Sequence, residues 1–418
     1  MISGNNHNKK TTLFIIFLTI FIDLLGFGII LPLLPTFSVN VLHINEITIG
    51  LVVGIFSLTQ FLFTPFWGSL SDKYGRKPVL IVSLAGSVIS NLILALVFSG
   101  VFASAVLFIF SRAFAGAFAG NISAAQAVIS DVTHPEERSK GMGLISAAFS
   151  LGFVFGPSVG GVLSESFGYG FPVYVSAGLS LIALLMSIFI FKETLPPDTL
   201  KKNRSSVKVI TKINFKKIAE TIGNRKYGKF VIIFFIAVFS FSNIFGTYQL
   251  FAERQDGLAL NQAEIGYMFS FMGITGAIVQ IFLIRVIQKK IGEENTLILG
   301  NFLTIFGIGL IGFSSSVGFL LAVTAVLAIG NGFNNTASIS LLSQNVSPNE
   351  QGTVLGMNQS LSAFARFLGP MWGGFAYQYF GYQYPFITGG IIMLFATFYT
   401  YSVLKKNKKG KSSIYIQS

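Results

Sequence analysis

The sequence predicts an all-α integral membrane protein, in which twelve transmembrane helices form two pseudo-symmetric six-helix bundles. Three observations predict this fold class. Of the 418 residues, 52% are hydrophobic and only 11% are charged, whereas soluble domains carry about 25% charged residues. Twelve apolar segments are each long enough to cross a bilayer core, which needs about 20 residues per helix. One stretch of sequence also recurs at an offset close to half the chain length.

The twelve apolar segments are joined by short connections except at the centre of the chain. They span residues 12–36, 48–70, 78–98, 104–130, 141–164, 171–191, 229–251, 264–287, 295–314, 317–344, 353–379 and 384–403. The first follows Lys9 and Lys10, as the apolar region of a signal peptide would. It continues to about Pro35 without a clear cleavage site, beyond the 7–15 residues typical of such regions. We therefore expect a retained first helix.

The central polar segment, residues 193–228, divides the chain into two halves. It predicts a cytoplasmic linker between an N-terminal bundle (1–192) and a C-terminal bundle (229–418). A solvated linker and an amphipathic helix on the membrane surface both remain open for this segment.

The distribution of basic residues predicts the topology. All but three of the 29 lysines and arginines lie on one side of a twelve-helix arrangement, and the exceptions are Arg112, Arg254 and Arg366. Cytoplasmic connections carry the excess of lysine and arginine, so both termini are predicted to be cytoplasmic in a multi-pass protein of the cell membrane. The net charge of +13 is explained in this way, and no nucleic-acid partner is expected.

An internal repeat relates the two halves. SDVTHPEERSKGMGLISAAFSLGFVFGPSVGG (Ser130–Gly161) aligns without a gap to SQNVSPNEQGTVLGMNQSLSAFARFLGPMWGG (Ser343–Gly374). The matched pairs include Pro135 with Pro348 and Gly156 with Gly369. Such a repeat predicts two bundles of the same architecture and orientation.

The sequence lacks the residues that several functional classes require. The sequence has no cysteine and only 3 histidines, so neither a thiolate nor a histidine metal site is expected. It shows no Ser/His/Asp set, no paired catalytic carboxylates and no GxxxxGK[ST] phosphate loop. We therefore expect no enzyme, no bound cofactor and no direct use of ATP. A proton gradient is the expected energy source, on the residues described next.

Asp23 is the one acidic residue of the sixteen that falls deep inside an apolar segment. A carboxylate in hydrocarbon tends to be neutral, and it can ionise near a cation or water. Arg112 also lies inside a segment, where a charge costs about 2.5–3.5 kcal/mol on insertion scales and usually has a partner. We expect Asp23 to carry a proton during transport, with Arg112 as an electrostatic neighbour. A paired Asp23 that fixes the first helix, and a structural ion pair of Arg112, are the alternatives.

The connection between the second and third segments reads GSLSDKYGRKPVL (Gly68–Leu80). It resembles the signature loop of the major facilitator superfamily, with a glycine, an aspartate four residues later, and then Gly-Arg-Lys. The resemblance identifies a candidate conformational latch, which contains Gly68, Asp72, Gly75, Arg76 and Lys77. An ordinary positively charged connection is the alternative.

The fifth segment contains GFVFGPSVGG, in which Gly152, Gly156 and Gly160 are four residues apart. Small residues at this spacing let helices approach closely. With Pro157 and Gly161, the string resembles the antiporter motif of the same superfamily, and this resemblance favours antiport. Helix packing alone is the alternative. The arginine in FSRAFAGAFAG of the fourth segment similarly resembles the helix-4 arginine of proton-coupled members.

The whole chain resembles the drug/proton antiporter branch of this superfamily, close to tetracycline and multidrug exporters. The resemblance implies a central cavity lined by the first, fourth, seventh and tenth helices. Members of that branch carry additional membrane acids, and here Ser90, Thr304, Gly246 and Gly332 stand roughly at those positions. The C-terminal half thus has no buried acid and one buried base, Arg366, which favours a neutral or anionic amphipath over tetracycline or a hydrophobic cation.

Polar and aromatic residues on the cavity helices and their neighbours are candidates to contact the substrate. They are Gln60, Asn121, Asn243, Tyr248, Gln280, Asn331, Asn335, Gln359 and Arg366. Each uncharged one could instead make an interhelical hydrogen bond, worth about 1 kcal/mol.

The predicted function is proton-coupled export of small amphipathic organic molecules or drugs by alternating access. The expected partners are a small-molecule substrate, protons and the lipid bilayer, and a monomer is expected. A facilitator or importer of a sugar or metabolite on the same fold remains an alternative. A membrane receptor or scaffold is the alternative outside transport.

Overall fold

The computed structural model describes residues 3–133, 138–210, 214–347 and 350–414. Within these ranges the chain is helical and contains no strand, which confirms the predicted all-α class. The matched prolines of the repeat, Pro135 and Pro348, and residues 211–213 of the predicted linker lie outside the described residues.

The helices are named here in chain order. Those before residue 214 are α1 (Ser3–Ile30), α2 (Leu33–Asn40), α3 (Glu46–Tyr74), α4 (Arg76–Phe98), α5 (Ala105–Ala117), α6 (Asn121–Val132), α7 (Arg138–Phe167), α8 (Gly170–Phe189) and α9 (Pro197–Ser206). Those after it are α10 (Phe215–Gly223), α11 (Gly228–Ser242), α12 (Ile244–Glu253), α13 (Gln262–Ile278), α14 (Ile284–Gly309), α15 (Val317–Gln344), α16 (Gln351–Phe380) and α17 (Tyr384–Ile414). A π-helical turn, Val279–Leu283, joins α13 to α14, and a short 3₁₀ turn, Ile311–Phe313, follows α14.

Three of the predicted segments are broken helices. The first corresponds to α1 and α2, the fourth to α5 and α6, and the seventh to α11 and α12. Pro32 stands at the first break, where it lacks the backbone N–H needed to continue the helical ladder. Such discontinuities at membrane depth are tolerated where protein or a water-filled cavity surrounds the backbone.

Ten helices within the described ranges are long and apolar enough to cross a membrane. One of them, Gln262–Phe313, covers both the eighth and the ninth predicted segments. Gly292, with φ of +80° and ψ of 166°, interrupts its helical geometry between those two segments. The eleventh predicted segment is the helix α16, which is not among the ten.

The chain forms two compact units. The first, called unit 1, contains Met1–Ile213 and Leu260–Ser270, and unit 2 contains Asn214–Ala259 and Phe271–Ser418. The helices of the predicted linker divide between them, because α9 belongs to unit 1 and α10 to unit 2. Many phenylalanines, such as Phe14, Phe110 and Phe395, are exposed on the helices, where a membrane protein meets lipid.

Candidate functional site

Asp23 is held by neutral hydrogen-bond donors inside unit 1. The side-chain amide of Asn121, the first residue of α6, donates to Asp23 Oδ2 over 2.6 Å. The hydroxyl of Ser180 on α8 donates to Asp23 Oδ1 over 3.3 Å. Asn91 on α4 donates in turn to the Ser180 hydroxyl over 3.1 Å. Four helices of unit 1 therefore contribute to this site, which we call the Asp23 cluster.

The Asp23 cluster accepts either protonation state of the carboxyl group. A serine hydroxyl can donate to a carboxylate and, after rotation, accept from a protonated acid. An ionised partner would favour the charged form, but the described residues include no ion pair to Asp23. Chemically, the arrangement can bind and release a proton without losing its hydrogen bonds.

Arg112 lies between two aromatic rings in the same unit. Its guanidinium carbon is 5.7 Å from the ring centre of Phe27 and 5.0 Å from that of Phe56, within the range of cation–π attraction. The residue is only 2% exposed, and its Nε and Nη2 atoms have no hydrogen-bond partner among the described residues. The contacts described for the guanidinium are with these two rings. The expected electrostatic link between Arg112 and Asp23 therefore stays a prediction.

The predicted latch contains an ion-pair network at one end of unit 1. Arg76 Nη1 lies 2.6 Å from Asp72 Oδ1, and Arg76 Nε lies 2.9 Å from Asp131 Oδ2. Asp131 is the better-shielded partner, because its side chain is 17% exposed and that of Asp72 is 54% exposed. Sequence reasoning missed Asp131, although it is the second residue of the quoted repeat. At Gly68, an added Cβ would meet no atom within 4 Å.

The backbone of the latch also binds the start of the predicted linker. Glu193 accepts hydrogen bonds from the backbone N–H groups of Arg76 and Lys77, each 3.0 Å long, and a carboxylate stabilises a helix N-terminus in this way. Lys77 Nζ donates to the carbonyl oxygen of Ile188 near the end of α8 over 2.8 Å. Gly75 has a φ of +110° and contacts Glu193 so closely that a side chain would collide. Sequence reasoning did not single out Glu193.

The glycines of the fifth predicted segment lie against α1. An added Cβ at Gly156 would be 2.7 Å from the Cα of Gly28. Gly152 and Gly160 face the backbones of Leu24 and Ile29 in the same way. The glycines on this face of α7 therefore let the backbones of α7 and α1 come into direct contact, as small residues do between helices in membranes.

The remaining two motif residues face α13. Gly161 approaches the backbone of Gln262, and the carbonyl oxygen of Pro157 approaches Gly266. Next to them, the hydroxyls of Ser158 and Ser270 are 2.5 Å apart. All of these residues belong to unit 1.

Two of the substrate candidates make buried interhelical hydrogen bonds within unit 2. Asn243 donates to the carbonyl oxygen of Pro385 over 2.5 Å, and its Oδ1 has no hydrogen-bond partner in the described part of the chain. The Tyr248 hydroxyl is 3.0 Å from that of Thr324. These contacts connect α12 to α15, and the α11–α12 break to α17.

Apart from Asn121, which is buried and donates to Asp23, the other uncharged candidates are more accessible. None of their side chains makes a hydrogen bond within the described chain. Gln60, Asn331 and Asn335 are half-buried, whereas Gln280 and Gln359 are exposed. Their contact with the substrate stays a prediction.

Asn334, next to the candidate Asn335, is instead part of a buried polar network that sequence reasoning missed. Its amide donates to Asn301 Oδ1, its Oδ1 accepts from Ser338 over 3.2 Å, and Asn301 donates to Thr400 over 3.0 Å. The repeat offset could have revealed it, because Asn334 stands 213 residues after Asn121. Within the described ranges, no group of three or more His, Cys, Asp or Glu residues could hold a metal ion.

Comparison with known proteins places these features in a family. A family model described as Major Facilitator Superfamily matches residues 16–300 and 230–414. The chain is 32% identical to multidrug resistance protein 2 of Bacillus subtilis (strain 168), over 93% of this chain and 94% of that protein. It is 28% identical to the class B tetracycline resistance protein of Escherichia coli, over 92% of each chain.

The fold is also similar to a solved structure, the human organic anion transporter MFSD10 (TETRAN). The TM-score is 0.67 at 26% identity, covering 94% of this chain and 99% of that chain. Together with the family match along the chain, these similarities confirm the resemblance seen in the signature loop and the repeat. The chain belongs to the Major Facilitator Superfamily.

Proposed function

We propose that the protein exports small amphipathic organic molecules, including drugs, in exchange for protons by alternating access. Its relatives support this proposal by their names, which are multidrug, tetracycline and quinolone resistance proteins and an organic anion transporter. The observation that supports proton coupling is the Asp23 cluster, where an acid inside an apolar helix has neutral hydrogen-bond partners and, among the described residues, no ion pair.

Proton exchange at Asp23 follows from that chemistry. When the cluster is open to the outside, the carboxylate takes up a proton, and the neutral group is tolerated inside the bundle. When the cluster is open to the cytoplasm, the proton leaves, and Asn121 and Ser180 stabilise the remaining charge. The Arg76 network, with Asp72 and Asp131, is proposed to break and re-form between these two states.

The setting of this transport is also proposed. The lysine and arginine distribution supports a location in the cell membrane with both termini cytoplasmic. The proposed partners are the substrate, protons and lipid, for a monomer that needs no cofactor and performs no enzymatic reaction.

Transport in proteoliposomes tests the proposal. The purified protein is reconstituted, a pH gradient is imposed, and accumulation of a fluorescent drug is followed with Asp23→Asn beside wild type. We expect Asp23→Asn to bind the drug but to lose gradient-driven accumulation, and Asp23→Glu, which keeps a titratable group, to recover part of it. Full proton-driven transport by Asp23→Asn would exclude the coupling role. Wild-type transport that ignores the gradient would indicate a facilitator.

A further inference from the structure

Arg366 carries a guanidinium in the middle of α16, the long helix that corresponds to the eleventh predicted segment. It has fifteen residues of α16 before it and fourteen after it, which places it roughly 20 Å from either end at 1.5 Å per residue. It is half-buried, and within the described chain it makes neither an ion pair nor a side-chain hydrogen bond. A charge at this depth is costly, so it faces the bundle interior or a water-filled space rather than lipid tails.

Among the described residues of unit 2, no acidic side chain forms an ion pair with Arg366. Its acidic residues lie in connections or at helix ends, and they are Glu220, Glu253, Asp256, Glu293, Glu294 and Glu350. On α16 itself, Gln359 lies two turns before Arg366 on the same side of the helix and is exposed. The side of α16 that carries Arg366 thus presents a cation beside an uncharged hydrogen-bonding group.

The fold does not require a charge at this position. At the repeat offset of 213, Phe153 of α7 matches Arg366. The Phe153 ring packs at 6.2 Å against that of Phe27, and this is an ordinary apolar contact. The neighbouring small face is similar in both copies, because Gly369 approaches α11 as Gly156 approaches α1. Since the matched position in unit 1 carries a phenylalanine, packing of the repeat does not account for the arginine in unit 2.

We propose that Arg366 binds the anionic group of the transported molecule, so that the exporter selects amphipaths bearing a carboxylate or sulfonate. A guanidinium recognises such groups with two parallel hydrogen bonds, which adds geometry to charge. A lipid headgroup fits this position less well, because headgroups lie at the membrane surface and Arg366 lies near its middle. The inference rests on the proposed function and narrows its substrate class.

Equilibrium binding to the purified protein in nanodiscs tests this inference without any gradient. The probes are matched pairs of aryl carboxylates and their primary amides, such as 2-naphthoate with 2-naphthamide and larger homologues. We expect wild type to bind the carboxylates about tenfold more tightly than the amides, as one charge-assisted bidentate contact would give. Arg366→Gln should abolish this preference, because carboxylate binding then loses its charge-assisted contact. Arg254→Gln, which removes an arginine from the loop after α12, should behave as wild type.

Two outcomes overturn the inference: equal affinity for acids and amides in wild type, or a preference that survives in Arg366→Gln. If the glutamine variant does not fold, Arg366→Lys decides. Lysine is a point charge without the planar fork of a guanidinium, so Arg366→Lys should reduce the preference for the carboxylates over the amides. Failure of proton-driven transport would overturn the proposed function, but it would not affect the measured preference for carboxylates over amides. Loss of the preference would leave proton-driven transport standing.

Discussion

The contact between α1 and α7 gives the sharpest prediction, at Gly156. Alanine there would place a methyl carbon 2.7 Å from the Cα and carbonyl carbon of Gly28. Carbon atoms in favourable contact are about 3.5–4.0 Å apart, so the helices must separate by about 1 Å. Overpacking of this kind costs about 1–3 kcal/mol, against a gain of up to about 1 kcal/mol in helix propensity. We expect Gly156→Ala to destabilise unit 1 by about 1–2 kcal/mol.

Gly143 provides a matched control in the same helix. An added Cβ there meets no atom within 4 Å, so Gly143→Ala should leave stability unchanged or raise it slightly. Domains of about this size lose roughly 2–4 °C in melting temperature per kcal/mol. A difference of about 2 kcal/mol in free energy of unfolding between the two variants therefore corresponds to a difference of roughly 4–8 °C in melting temperature.

The measurement is thermal unfolding in detergent, followed by tryptophan fluorescence, with Trp67 reporting on unit 1. Gly156→Ala should melt clearly below Gly143→Ala. Equal melting temperatures would refute the reasoning, because the α1–α7 backbones could then yield to a methyl group at no cost. The glycine spacing would in that case need an explanation other than close packing.

Three further predictions concern stability, measured in the same way. Asp131→Asn should lower the free energy of unfolding by about 1.5–3 kcal/mol, because it removes a shielded, charge-assisted hydrogen bond. Asp72→Asn should lower it by about 0–1 kcal/mol, because that carboxylate is half exposed. Equal losses would contradict the assignment of Asp131 as the main partner of Arg76. Asn334→Ala should cost about 1–3 kcal/mol by leaving buried polar groups unpaired, and Asn335→Ala, which breaks no hydrogen bond, should cost less than half as much. Glu193→Gln should cost about 1 kcal/mol by removing the charge at the N-terminus of α4, and a melting temperature at or above wild type would contradict that capping role.

The sequence indicated the family because the features that identify it are short sequence patterns. Apolar length, the spacing of the signature loop and the side on which lysine and arginine fall can all be read over a few tens of residues. The same holds for Asp23 and Arg366, since a charge in an apolar run is visible without knowing its neighbours. The predicted segments also coincide with helices of the structure. Their breaks at Pro32 and Asn243 were missed, because hydropathy does not change where the backbone turns.

Sequence alone therefore determined that this protein crosses the membrane many times, that it belongs to the superfamily, and that Asp23 is its one acid inside an apolar segment. Only the tertiary structure decided which groups surround that acid, since Asn121 and Ser180 lie 98 and 157 residues away along the chain. It likewise brought Asp131 and Glu193 to the signature loop. A hydrogen bond needs its partners within about 3 Å. Which distant residues come that close is set by how whole helices pack, and no local pattern records it.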